Sequence, residues 1–341
     1  MKKVLFIISS LVLMILAACG SEGASSSGSS SESKEKKIDK IVLADAGWDS
    51  IRFHNSVAQT IIENGYGYET DVTNGSTAAT IQGLRQGDIN AYMEVWTDNI
   101  KELYTESIES GDIEKVAVNF DDNKQGLWVP TYVIEGDEER GIKAAAPDLK
   151  TVKDLEQYKD VFEDPEKPGK GRIIGAPSGW ALSEYLATKV ETYGLQEEYN
   201  YFRPGSDAAI VTSLASAYEA GEPWVGYYWS PTWVTAKYDM TLLKEPEFNE
   251  EQWEKNRGTE FPPNDVVVAV NSNLPDQAPK VVDFLSNYET SSELTGEALK
   301  YMKDEEASAD EAAIWWMKKH EDLWTEWLSK EVATKVKDAI K

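Results

Sequence analysis

Cysteine is almost missing from this chain: Cys19 is the one residue of its kind among 341. A single thiol excludes an intramolecular disulfide and any multi-cysteine zinc site. Histidine is nearly as scarce, and His54 and His320 fall in separate predicted helices far apart in sequence, so no metal-ligand spacing exists. The sequence also lacks a G-x-S-x-G elbow, a phosphate-binding glycine loop and an EF-hand pattern. It therefore offers no catalytic residue, no metal site and no cofactor site, and His54 is expected to decorate a helix face rather than to act in acid–base chemistry. Positive charge is in deficit, with 34 Lys and Arg against 60 Asp and Glu and a formal net charge of −26. Such acidity disfavours nucleic acid and anionic lipid as partners and serves solubility.

Long apolar runs are equally rare. Residues 4–15 form one, behind Lys2 and Lys3 and ahead of Leu16-Ala17-Ala18-Cys19. This run is shorter than the ~20 residues a spanning helix needs, and its flanks are those of an export signal. The Leu-Ala-Ala-Cys end resembles a bacterial lipobox, which implies that Cys19 is lipidated and becomes the mature N-terminus. Residues 20–33 are mostly Ser, Gly, Ala and Glu, and residues 34–37 are charged, the composition of a flexible tether. The expected plan is a signal with lipobox (1–19), a tether (20–37) and a body held by lipid at the extracytoplasmic face of the cell membrane.

The body exceeds the usual single-core size, so two lobes are expected. Strand patterns at 40–46, 68–73 and 89–95 alternate with helical patterns at 50–64 and 77–86, the latter two closed by Gly65 and Gly87. This alternation predicts an α/β parallel sheet. A second set follows the apolar run 126–134: a strand at 172–176, helices at 179–193 and 208–219, and strands at 224–229 and 266–270. From 278 onward the pattern is helical. The chain is expected to cross between lobes twice, placing 38–130 and about 240–341 in one lobe and 131–239 in the other. Two crossings make a hinge that lets lobes close over a ligand.

What the sequence has in abundance is tryptophan, twelve residues in all. Trp48, Trp96 and Trp229 each follow a short apolar run and precede a turn or a helix start, where an α/β sheet binds ligands. Ring faces converging from several such positions suit a cation without hydrogen-bond donors, such as a quaternary ammonium. Trp315, Trp316, Trp324 and Trp327 sit at helical spacings in the late section and read as packing. Trp128 reads equally as a further wall or as hinge packing. Trp253 carries no signal.

Four segments then carry a resemblance. Gly47-Trp48-Asp49-Ser50, Tyr92-Met93-Glu94-Val95-Trp96, Gly175-Ala176-Pro177-Ser178-Gly179-Trp180 and Tyr228-Trp229-Ser230-Pro231-Thr232-Trp233 resemble, in this order, motifs of the substrate-binding lipoproteins of glycine betaine (quaternary amine) ABC transporters. The resemblance implies a two-lobed periplasmic-binding-protein fold of the type II kind, with ligand in the interlobe cleft and a membrane permease as partner. It implies that Trp48 and Trp96 of one lobe and Trp229 of the other enclose a trimethylammonium group, and that the amides of Gly179 and Trp180, after Ser178, hold the ligand carboxylate. Where certain relatives carry histidines, this chain has Lys101 and Thr232. Two other readings share the pattern: a choline or carnitine receptor, and a secreted carbohydrate-active hydrolase with a tryptophan-lined cleft. The arrangement of the rings separates them, since a closed box suits an ammonium and a flat platform suits a sugar.

Overall fold

The computed structural model describes residues 38–341; the signal, lipobox and tether expected before them lie outside the described residues. Among the described residues, ten strands run in chain order: β1 (Lys40–Asp45), β2 (Glu69–Asn74), β3 (Ala91–Trp96), β4 (Ile113–Phe120), β5 (Lys124–Pro130), β6 (Gly171–Ile174), β7 (Tyr199–Phe202), β8 (Gly226–Ser230), β9 (Met240–Leu242) and β10 (Val266–Asn271). They form two five-stranded sheets, β2-β1-β3-β10-β4 and β7-β6-β8-β5-β9, one per lobe of a two-lobed α/β fold. In the first, β1 pairs parallel with β2 and β3, while β10 enters antiparallel between β3 and β4. Every residue of β3 and β10 is buried. Helices cover both faces of such strands, which is why β10 reads as an apolar run without alternation; β3 carries Glu94 at its centre.

The helices begin and end where short-range chemistry directs. Ser76 accepts the Ala79 amide to cap Thr77–Gln86, and Gly87, at φ +82°, supplies the left-handed residue that closes it. Ser206 caps Asp207–Ala220 in the same way. The helix expected from residue 179 begins instead at Ser183, because Pro177 to Leu182 form a tight turn in which the Trp180 amide donates to the Pro177 carbonyl (3.0 Å).

The lobe boundaries also move. The run after residue 124, expected to end the first lobe, is itself strand β5, pairing with β8 and β9 in the second sheet. The first crossing is therefore the short link between Phe120 and Lys124, and the return lies between Leu242 and Val266. Both crossings are tied together by carboxamides: Gln125 donates to Asn99 Oδ1 (3.0 Å), Asn264 Oδ1 accepts the Asp98 amide (3.2 Å), and Tyr227 donates its hydroxyl to Gln125 Oε1 (3.0 Å). Between the lobes themselves, the Thr77 amide donates to the Gly179 carbonyl (3.3 Å), so the cleft is shut.

Three of the four late tryptophans are packed inside, on three successive short helices, and Trp315 is half-buried. Trp316 and Trp324 are fully buried, Trp327 nearly so, and Trp327 lies 4.5 Å from Tyr288 between ring centroids. His54 is not on an exposed face: it is fully buried, with Nδ1 2.9 Å from the Tyr288 hydroxyl. Burial pushes its imidazole down to about 3, so it stays neutral in the folded chain while the unfolded chain protonates it below pH 6.5. Native stability from this group is thus present above pH 6.5 and falls as pH drops from there toward 3, by about 2 kcal/mol at pH 5. We expect His54→Gln to flatten the acid side of the stability curve by about that amount, measured by urea unfolding at pH 7 and pH 5; an unchanged slope would contradict it.

Candidate functional site

The sequence turns twice in the first lobe to bring tryptophan to the cleft. After β1, the buried Asp45 accepts the Gly47 amide (2.7 Å) and pairs with Arg52 Nε (3.0 Å). Gly47 sits at φ +102°, a conformation that a side chain would strain, and the resulting turn delivers Trp48 just ahead of the helix Asp49–Ile61. At the end of β3, Trp96 leads into the short turn Thr97–Ile100. From the second lobe come the turn after β6, which carries Trp180, and strand β8, whose alternation puts Tyr227 and Trp229 on one face.

These elements enclose a cavity of about 40 Å³, measured as the space open to the centre of a water-sized sphere. Its walls are aromatic. Trp48 and Trp180 meet across the lobes with centroids 5.6 Å apart and planes at 86°, and Trp180 meets Trp229 at 5.2 Å and 80°. Tyr227 stacks against Trp229 at 5.8 Å and 21°. Successive walls therefore stand at right angles, as in a box. Trp96 and Tyr92 also line the cavity, and Thr77 and Asn99 are the polar residues of its lining besides the tyrosines. No aspartate or glutamate is among the lining residues.

Of the residues singled out from sequence, Trp48, Trp96, Trp180 and Trp229 meet at this cavity. Trp180 arrives differently than expected: its indole is a wall, while its amide is already committed to Pro177. Ser178 and Gly179 are exposed and do not line the cavity. Trp128 does not line it either, because its indole N–H is taken up by the Tyr228 carbonyl (3.0 Å) within the sheet. Thr232 is occupied as the cap of the helix Trp233–Lys237. Lys101 pairs with Glu250 Oε1 (2.7 Å) on the surface, so Lys101→Ala is expected to change ligand affinity by less than about twofold, a difference a calorimetric titration resolves.

Sequence reasoning passed over Tyr92, Tyr227, Asn99 and Leu182. The signal for the first two was present: each stands two or four strand positions from a tryptophan of the cavity wall, on the same side of its strand. Leu182 and Asn99 lie in turns whose shape the sequence did not announce.

Two α/β lobes joined by two crossings and shut on a cavity between them define a solute-binding protein. The family model described as "Substrate binding domain of ABC-type glycine betaine transport system" matches residues 39–319, and the chain belongs to that family. It is the substrate-binding protein of an ABC transporter of this type. A curated relative, the trimethylamine N-oxide-binding protein of Pelagibacter ubique (strain HTCC1062), is 23% identical over 334 residues, spanning 95% of this chain and 99% of its own. Among solved structures, an ABC-transporter choline binding protein in complex with choline superposes with a TM-score of 0.71 at 22% identity, covering 89% of this chain and 98% of that one. Lactococcal OpuAC, closed and complexed with glycine betaine, gives 0.68 at 18% identity, covering 86% and 100%. At these identities the structural likeness shows the fold.

Proposed function

We propose that this protein captures a small quaternary ammonium osmolyte, glycine betaine foremost, between Trp48, Trp96, Trp180 and Trp229, and presents the closed, loaded form to an ABC permease. The observation that carries this reading is the right-angled succession of indoles across the two lobes. A trimethylammonium group has no N–H to donate, so its suitable partners are ring faces, each contributing on the order of 0.5–2 kcal/mol according to desolvation. Because Trp48 and Trp96 come from one lobe and Trp180 and Trp229 from the other, ligand stabilises the closed state by touching both. The mechanism is binding alone, without covalent chemistry, and the transporter's ATPase supplies the energy elsewhere. The family relation and the lipobox-like Leu-Ala-Ala-Cys favour a lipid anchor at Cys19 on the extracytoplasmic face of the cell membrane.

The carboxylate of a betaine would lie toward Ala181 and Leu182, which line the cavity just ahead of the helix Ser183–Thr192, where helix polarity favours an anion. A second reading, a quaternary amine without a carboxylate such as choline, is favoured by one observation: the Trp180 amide, expected to bind that carboxylate, already donates to Pro177. A glycoside hydrolase would need two carboxyl groups flanking the cleft, and the cavity lining supplies none. The test is a titration panel of glycine betaine, proline betaine, choline, carnitine and a neutral sugar, followed by intrinsic tryptophan fluorescence. Saturable binding of one or more quaternary amines with no response to the sugar is expected. Binding of the sugar alone would overturn the proposal.

A further inference from the structure

A carboxyl group stands behind the cage, and enclosure of a cation by indole faces gives it no role. Glu94, in the middle of Tyr92-Met93-Glu94-Val95-Trp96, is fully buried in the first lobe. Its Oε1 accepts from Ser50 Oγ (2.9 Å) and from the indole N–H of Trp96 (3.0 Å). The Trp48 indole N–H approaches the same carboxyl without reaching hydrogen-bond geometry, which leaves Trp48 Nε1 and Glu94 Oε2 both buried and without a partner. Trp48 and Trp96 line the cavity and Glu94 does not, so two cage indoles turn their N–H edges toward one acid outside the wall. All four residues belong to the first lobe: Glu94 and Trp96 on β3, Trp48 and Ser50 at the start of the helix Asp49–Ile61.

An amide at this position would accept from Ser50 and Trp96 equally well. What only an acid adds is a charge, held one indole away from the cavity in surroundings that screen it poorly. Burying an acid with an unpartnered oxygen is unfavourable, and a role confined to accepting two hydrogen bonds gives no reason to incur it. We propose that Glu94 is a specificity-determining residue: it positions Trp96 and Trp48 by their N–H edges and, by ionising when a cation enters the cage, sets the site's preference for cationic over neutral solutes. The proposal rests on the cage reading above.

Burial raises the Glu94 carboxyl to about 8, against the opposing pull of Ser50, Trp96 and Trp48. Asp45, from β1, opposes its ionisation but is itself engaged by Arg52. Tyr92 on its own strand and Tyr288 from the late helices are both pushed up by burial, and His54, behind Tyr288, is neutral. A bound cation stabilises the carboxylate, so the liganded group titrates lower than the free one. Between those two values, uptake of the cation releases a proton and affinity rises with pH; outside them affinity is flat. Asp207 titrates in the same window: burial and Asp49 of the other lobe push it to about 7. The Arg52 charge and the Asp49 amide, from the same lobe as Asp49, pull the other way, so the Asp207 contribution is removed by taking the ratio of wild type to variant.

The experiment is a calorimetric titration of choline from pH 6 to pH 9, in buffers of different ionisation enthalpy, on the wild type and Glu94→Gln. The ratio of wild-type to variant affinity is expected to rise about tenfold across this range, as it does when the bound cation strengthens the acid about tenfold, and the wild type to release more protons than the variant. Equal pH profiles and equal proton release would overturn the proposal, as would a variant weakened by one constant factor at every pH. Should Glu94→Gln fail to fold, the wild type decides alone. Its preference for choline over the uncharged carbon analogue 3,3-dimethyl-1-butanol should grow about tenfold from pH 6 to pH 9, since the Asp207 contribution is common to both. A constant preference would overturn the proposal. Failure of the wild type to bind any quaternary amine at any pH would instead overturn the cage reading, and this proposal with it.

Discussion

Trp180→Ala is expected to lower the affinity for a quaternary amine by about 100-fold while leaving the fold intact. Trp180 is the ring that both lobes share: it stands edge-on to Trp48 of the first lobe and to Trp229 of its own. Truncating it removes one wall and the perpendicular neighbour of two others, and it admits water to faces that are otherwise dry. A buried aromatic anchor of this kind carries more binding energy than its rim neighbours, about 2 kcal/mol or more on truncation. The variant also separates two chemistries. If Trp180 acted through its amide alone, alanine would keep the amide and most of the affinity; if the indole is a wall, alanine loses both the face and the closure it supports. Fluorescence titration with a thermal melt as control distinguishes the outcomes. Trp48→Ala, Trp96→Ala and Trp229→Ala should each weaken binding by about tenfold or more for the same reason.

Trp324→Ala should do the reverse, destabilising the fold and leaving the site alone. This indole is fully buried among the late helices and donates its N–H to the Met317 carbonyl (2.6 Å). Removing it deletes the transfer free energy of a large ring, leaves a cavity and orphans a buried carbonyl. The expected cost is about 3–5 kcal/mol, or roughly 10 °C in melting temperature for a chain of this size. Binding per folded molecule should stay within about twofold, because Trp324 is not among the cavity residues. A loss of affinity without a loss of stability would contradict the division between cage and packing tryptophans.

Which tryptophans line the cavity and which lie in the late helices was legible in the sequence because the two groups sit in different local patterns. Trp48, Trp96 and Trp229 follow strand-like runs, and the ends of strands in an α/β sheet face the cleft. Trp316, Trp324 and Trp327 fall in the helical late section and are buried, though on three successive short helices rather than on one stripe, while Trp315 is half-buried and stacks on Tyr301 (4.2 Å between centroids). The role of Trp180 was not legible, since the motif around it allowed a helix to begin at Gly179, and only the turn from Pro177 shows that its amide is spent. The lobe boundary was misplaced for a related reason. An apolar stretch such as residues 126–130 reads equally as a crossing or as a buried strand, and its pairing with β8, about a hundred residues later, is invisible to any local pattern. Glu94 was in plain view within a quoted motif, yet its burial depends on β3 being covered on both faces, which the strand's own residues do not announce.

The most direct test of the cage is a crystal structure of the protein grown with glycine betaine. The account predicts density for the ligand between the lobes, with its nitrogen within about 6 Å of the ring centroids of Trp48, Trp96, Trp180 and Trp229 and no carboxylate in contact with it. A ligand bound elsewhere, or one whose carboxylate rather than its ammonium group lies among the indoles, would contradict it.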